Sequence, residues 1–286
     1  MDSADFQSRY KQLKRKHAVC GVMLVALYVL IYTRFISAAW KGWSEIFLLA
    51  LILISAWYLV MRCDRKKNEF LGRYAKEVYS ERFDVEQYQP NGHIERKICR
   101  ASHLFIRDYG FSLFDLSGSN LLTGRYRGIR FSFSDLTLSK GKLGRRSAAF
   151  YVFEHQGIIR DRIMIKSVRE PWYSTGTVSG GFDERFQIEG NNKAEIARIL
   201  NSTFKRELVR MDRIVHADAS RHLMTDIFID ENRVYIVLWN KENLFARKYQ
   251  SIKEIKSATK EDTDWITAFL DIFLNGSGLF PSDEDA

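Results

Sequence analysis

Met224-Thr-Asp-Ile-Phe-Ile-Asp-Glu-Asn-Arg-Val-Tyr-Ile-Val-Leu-Trp239 is the stretch on which the fold turns. Two apolar runs flank a polar break, Asp230-Glu231-Asn232, and this pattern predicts a β-hairpin. The second run is apolar on both faces, with Val234, Ile236 and Leu238 on one and Tyr235, Val237 and Trp239 on the other. A strand of that kind belongs in the middle of a sheet, covered from both sides.

Working outward, Lys193 to about Met211 reads as a helix capped by Asn192, with Glu195 three residues on as in a capping box. Ala197, Leu200, Phe204, Leu208 and Met211 give it one apolar face. Lys260 to Leu274 reads as a second helix, capped by Thr259 and stopped at Asn275-Gly276. The carboxylates in Lys260–Asp264 then sit at its start, where the helix dipole favours them. Upstream, Gly110–Leu116 and Ile129–Ser134 alternate apolar and polar residues, as half-buried strands do. Ser117-Gly-Ser-Asn120 between them reads as a turn. Ala149–Glu154 and Ile158–Ile165 flank His155-Gln-Gly157 and read as a hairpin. Asn68–Gln87 carries apolar residues at helical spacing.

Near the start of this 286-residue chain lie two apolar runs, Ala18–Ile36 and Trp43–Met61, with basic outer flanks. A span needs roughly 20 apolar residues. The first run reaches that length if Arg34 snorkels to the interface, and the second if Trp43 anchors in it. Arg9, Lys11, Lys14, Arg15 and Lys16 precede the runs, and Arg62, Arg65, Lys66 and Lys67 follow them. That bias predicts a transmembrane hairpin with both termini cytoplasmic and a multi-pass location in the inner (plasma) membrane, with Arg34, Trp43 and Arg62 as interface anchors. The expected fold class is therefore α+β: a two-helix transmembrane hairpin followed by a cytoplasmic domain with a strand-rich half and then an α/β half. The expected division is a basic N-terminus over 1–17, the hairpin over 18–61 and a juxtamembrane helix over 62–90. A strand-rich region over 91–180, a helix-hairpin-helix region over 181–277 and an acidic tail over 278–286 complete it.

The net charge of +9 suggests nucleic acid, but its placement argues otherwise. Residues 1–17 carry +3, the loop with Arg34, Lys41 and Glu45 carries +1, and residues 62–67 carry +3. Only +2 remains for everything else, so the excess flanks the apolar runs and no nucleic-acid partner is expected. The expected partners are a lipid bilayer and a protein partner or second copy of the chain. Three cysteines, Cys20, Cys63 and Cys99, form no C-x-x-C and suit a reducing compartment.

Chemistry is sparse. The six histidines show no metal-ligand spacing; His216 and His222 could meet Asp212 or Asp226, but a surface connector is the plainer reading. Ser102 beside His103 suggests a nucleophile and base, yet neighbours on a strand point to opposite faces. Ser139-Lys-Gly-Lys-Leu-Gly-Arg-Arg146 lacks Walker spacing. Its Lys140, Lys142, Arg145 and Arg146 form a candidate anion or headgroup loop, with a solvated hairpin tip as the alternative. Ser174–Gly181 reads as a loop. No catalytic, metal or cofactor-binding residues emerge and no cofactor is expected.

Ser102-His103-Leu104-Phe105, Gly124 followed by Phe131-Ser132-Phe133-Ser134, Phe186 with Ala197-Arg198-Ile199-Leu200, and Leu244-Phe245 after Trp239 together form a pattern. It resembles the bacterial two-span family catalogued as domain of unknown function three-one-three-seven. The chain departs from that family at Asn120-Leu-Leu-Thr123, where an acidic pair is usual, and at Phe150-Tyr-Val-Phe153. The resemblance implies two spans and a cytoplasmic α+β domain, and it brings no activity with it. The sequence thus favours a non-enzymatic inner-membrane protein with a cytoplasmic binding domain. Two readings stay open beside it: a tethered enzyme acting on a phosphorylated or lipid substrate, and a two-span effector that perturbs the bilayer.

Overall fold

In a computed structural model, the chain divides into two units, Met1–Tyr74 and Ala75–Ala286. The structure describes residues 72–105, 112–139, 145–155, 159–168, 180–217, 222–240, 252–277 and 279, with scattered positions before 72. Every described residue of the first unit is helical.

The expected transmembrane hairpin does not stand, nor does the multi-pass inner-membrane location with both termini cytoplasmic. Among the described residues no helix is long and apolar enough to cross a membrane. The physical reason lies in the runs themselves. Ala18–Thr33 falls short of roughly 20 residues and needs Arg34 to be completed, and the second run needs Trp43 to Glu45. Much of 18–61, Arg34 and Trp43 included, lies outside the described residues, while Arg62 is an exposed helical residue.

The second unit is built on one eight-stranded antiparallel sheet. Its strands are β1 (Asp84–Gln89), β2 (Ser112–Tyr126), β3 (Ile129–Ser139), β4 (Arg145–Glu154), β5 (Ile163–Ser167), β6 (Phe186–Glu189), β7 (His222–Ile229) and β8 (Arg233–Asn240). They lie in the order β1-β2-β3-β4-β8-β7-β5-β6. After a helix that ends at residue 79, the described helices are α1 (Arg96–Ala101), α2 (Phe182–Arg185), α3 (Lys193–Ile199), α4 (Ser202–Ala217) and α5 (Ile252–Gly276).

The β7–β8 hairpin forms as its sequence predicts, with Ile229 opposite Val234, and β8 sits between β4 and β7. That central insertion overturns the hairpin expected from Ala149–Glu154 and Ile158–Ile165. β8 and β7 lie between β4 and β5, and β5 pairs instead with β6 and β7. It also joins the two expected halves into one sheet, because β8 brings the later part of the chain against β4.

Direct pairing makes one row of side chains across all eight strands: Tyr88, Leu122, Phe133, Tyr151, Ile236, Ile227, Ile165 and Ile188. This face is covered by α4 and α5. Phe269 of α5 lies 5.0 Å from Tyr151, and Phe273 lies 6.4 Å from Phe153 and 5.0 Å from Phe204 of α4. The opposite face is covered by α1 and the segment after it. Phe105 lies 5.1 Å from Phe150 and 5.8 Å from Trp239, in a core that includes Ile94, Cys99 and Leu104. The sheet is thus apolar on both faces, as the two-faced β8 requires.

Local differences have local causes. Ser117–Asn120 is a bulge inside β2, because three steps from Ser119 to Leu122 oppose two from Asp135 to Phe133. Asn120 takes a φ of 58° there, and its amide donates to Asp135 Oδ2 at 2.8 Å. A Cβ on Gly118 would lie 2.1 Å from the Asp135 carbonyl oxygen, so only glycine fits this close approach. The turn from β2 to β3 is Arg127-Gly128, with φ of 47° and 80°, as a two-residue hairpin turn demands.

The helix expected over Asn68–Gln87 ends at residue 79, and 84–89 form β1. The helix expected over Lys193–Met211 is two helices, broken before Asn201, whose side chain caps α4 by accepting from the Phe204 N–H at 2.9 Å. Asn192 does cap α3, accepting from the Glu195 N–H at 3.1 Å. Glu195, however, turns its carboxylate to the N–H groups of Arg160 and Asp161 at 3.0 and 3.1 Å.

Candidate functional site

α4 and α5 lie side by side with their apolar faces on the sheet, and a groove of about 600 Å³ runs between their outward shoulders. α4 turns Phe204, Leu208 and Val209 inward, which leaves Glu207, Arg210 and Ile214 toward the groove. α5 turns Ile266, Phe269, Leu270 and Phe273 inward, which leaves Trp265, Ala268 and Asp271 along the other wall. The 3.6-residue period dictates both sets. Met211, Ile214, Trp265, Ala268 and Ile272 make the lining largely apolar, and Ile214 is 55 % exposed.

Charges stand around this lining. Arg210 Nε meets Glu207 Oε2 at 2.8 Å within α4. Asp271 is held from the β2–β3 turn by Arg127 Nη1 at 3.4 Å and accepts from the Tyr126 hydroxyl at 3.3 Å. Burial, then the Asp271 carboxylate, raises the Tyr126 phenol above its ordinary range, so it stays a donor at neutral pH. Arg82 and Asp264 also line the groove. The arrangement offers an apolar trough with fixed polar groups at its edges. Among the described residues its lining includes no Ser, Cys or His.

The residues singled out by the sequence are not brought together. Arg145 and Arg146 lie on β4, opposite Ser139 and Leu138, rather than in a loop. Lys140 and Lys142 lie outside the described residues. Ser102 ends α1 and donates its hydroxyl to the Cys99 carbonyl at 2.8 Å, while His103 adopts a φ of 57° with its ring 5.5 Å from Phe228. They meet at a helix end and not on the strand expected for them. Asp212 pairs with Arg185, and Asp226 accepts from Trp239 Nε1 at 2.9 Å, while the side chains of His216 and His222 lie outside the described ones. Among the described residues no group of three or more His, Cys, Asp or Glu is placed to hold a metal ion.

Cys99 is fully buried, and burial pushes its thiol up to about 12. In a Cys20→Ser/Cys63→Ser background, iodoacetamide at pH 8 is expected to leave Cys99 unmodified in the folded protein and to alkylate it in urea. Mass spectrometry reads the outcome, and rapid labelling without urea would contradict the packing of α1 on the sheet.

The sequence signal for the groove was present but divided. The α4 and α5 faces were each legible as amphipathic, but their mutual spacing was not. No protein-family model matches the chain, and no curated protein matches it. Among solved structures the chain is similar to the crystal structure of the mycobacterial trehalose monomycolate transport factor A. The identity is 13%, the match covers 69% of this chain and 95% of that one, and the TM-score is 0.29, a level of likeness that assigns no function.

Proposed function

We propose that the unit spanning Ala75–Ala286 is a binding module that takes the apolar portion of an amphipathic small molecule into the groove between α4 and α5. The observation that carries this reading is the trough itself: about 600 Å³, lined by Met211, Trp265, Ala268 and Ile272 and edged by charge. Small-molecule sites have volumes of roughly 300–1,000 Å³ and combine apolar walls with a few fixed polar groups. The burial of a methylene group contributes about 0.8 kcal/mol, so a chain of several carbons can be held without catalysis or metal. Kinship with the family catalogued as domain of unknown function three-one-three-seven is a separate proposal, supported by the residues of the later part of the chain quoted for it.

The test is titration of the full chain with dodecyl maltoside below its micelle concentration, followed by amide chemical shifts. Saturable shifts confined to α4 and α5 are expected. Ala268→Trp, which fills the trough from a half-buried position on its wall, is expected to weaken that binding at least about tenfold, which corresponds to 1.4 kcal/mol. Its circular dichroism should match the wild type. Equal binding by Ala268→Trp, or no saturable shift in the wild type, would sink the proposal.

A further inference from the structure

On the sheet side of α5, away from the groove, lies a buried polar cluster that no part of the binding reading uses. Asp135 of β3 and Asp262 of α5 are both 1% exposed. Asp135 accepts from the Asn120 amide at 2.8 Å, and Asp262 accepts from the Tyr79 hydroxyl at 2.7 Å. Tyr88 extends the cluster by donating to Asn120 Oδ1 at 3.1 Å.

Tyr151 of β4 points its phenol into this cluster. Its ring is wedged between Phe133 and Phe269, each 5.0 Å away, and the residue is 0% exposed. The direction follows from how α5 runs along β4. Phe273 lies against Phe153 and Phe269 against Tyr151, so the helix advances with the strand. Asp262, seven residues before Phe269 and therefore about 10 Å back along the helix, comes over the earlier part of β4. There Ala149 is small, and the register sets Ala149 opposite Asp135. Burial, then Asp262, Asp135 and Glu261, push the Tyr151 phenol well above its ordinary value, which keeps its proton on and makes it a donor. Yet among the described residues its hydroxyl has no hydrogen-bond partner.

A fully buried hydroxyl facing carboxylates without a partner is unusual, because buried polar groups are nearly always satisfied. A carboxylate has about four lone-pair sites and accepts several hydrogen bonds at once. We infer that an internal water molecule beneath α5 accepts from the Tyr151 hydroxyl and donates to the carboxylates of Asp135 and Asp262. Buried waters typically make about three such bonds to groups left over by the fold. This one joins β3, β4 and α5, and it stands whether or not the groove on the far side of α5 binds anything.

Tyr151→Phe isolates the hydroxyl, since the ring contacts remain. In the full chain it is expected to lower the midpoint of thermal unfolding by about 2–6 °C, because two hydrogen-bonded carboxylates lose their bridge. An unchanged or raised midpoint overturns the inference, since deleting a hydroxyl that is buried dry removes a penalty. A crystal structure of the wild type at better than about 1.5 Å provides the second readout. Density for a water within about 3.2 Å of the Tyr151 hydroxyl supports the site, and its absence overturns it.

Discussion

Trp239→Ala is expected to lower the unfolding free energy by about 3–5 kcal/mol. Trp239 lies on the central strand, is 0% exposed and packs 5.8 Å from Phe105 on the α1 side of the sheet. Its removal takes away apolar burial and leaves a cavity that paired strands on both sides of β8 cannot close. It also removes the indole N–H that Asp226, itself 0% exposed, accepts at 2.9 Å. Trp239→Phe separates the two terms. It restores most of the ring packing but not the donor, and should cost about 1–3 kcal/mol. Urea unfolding followed by circular dichroism measures both. A loss below about 1 kcal/mol for Trp239→Ala would mean that β8 is not packed from both faces.

Asp212→Ala is expected to cost a similar amount, about 3–5 kcal/mol, for a different physical reason. Arg185 of α2 and Asp212 of α4 are 6% and 5% exposed and form a hydrogen-bonded ion pair. The guanidinium also donates through Nε to the Gly180 carbonyl at 3.2 Å, which fixes its plane. Removal of the carboxylate leaves a guanidinium away from water without the group that offsets its desolvation. The pair itself need not be strongly stabilising, because both ions lose hydration on folding. Arg185→Met/Asp212→Leu removes both charges and is expected to recover most of the loss. If the double variant is as unstable as Asp212→Ala, packing rather than charge governs this contact. The same urea experiment decides, and additivity of the two single variants would show that the groups do not act as a pair.

The position of β8 was legible because a run apolar on both faces has only one comfortable place in a sheet. The α4 and α5 helices were legible for a related reason, as their 3.6-residue apolar period must face something. Where pattern failed, a competing contact had decided. Ser117–Asn120 has turn composition, but the neighbouring strand β3 continues past it, so the extra residue is absorbed as a bulge. Glu195 has capping-box spacing, but the backbone N–H groups of Arg160 and Asp161 claim its carboxylate. Thr259 and Asp262 read as helix-start residues, yet α5 begins at Ile252 and buries both against the sheet side. The basic stretch 139–146 read as one anion-binding loop, yet the β3–β4 ladder takes up Arg145 and Arg146.

By itself the sequence determined that the later part of the chain contains a β-hairpin with a two-faced second strand, flanked by amphipathic helices. These are local properties, set by side-chain period and turn composition, and they need no distant partner to be read. Only the tertiary structure decided that β7 and β8 enter between β4 and β5. It likewise decided that a trough opens between α4 and α5, and that Tyr151 meets Asp135 and Asp262. Each of these joins residues tens to more than a hundred positions apart. Such contacts are selected by which apolar faces fit together once the whole sheet is assembled, and no window of sequence carries that information.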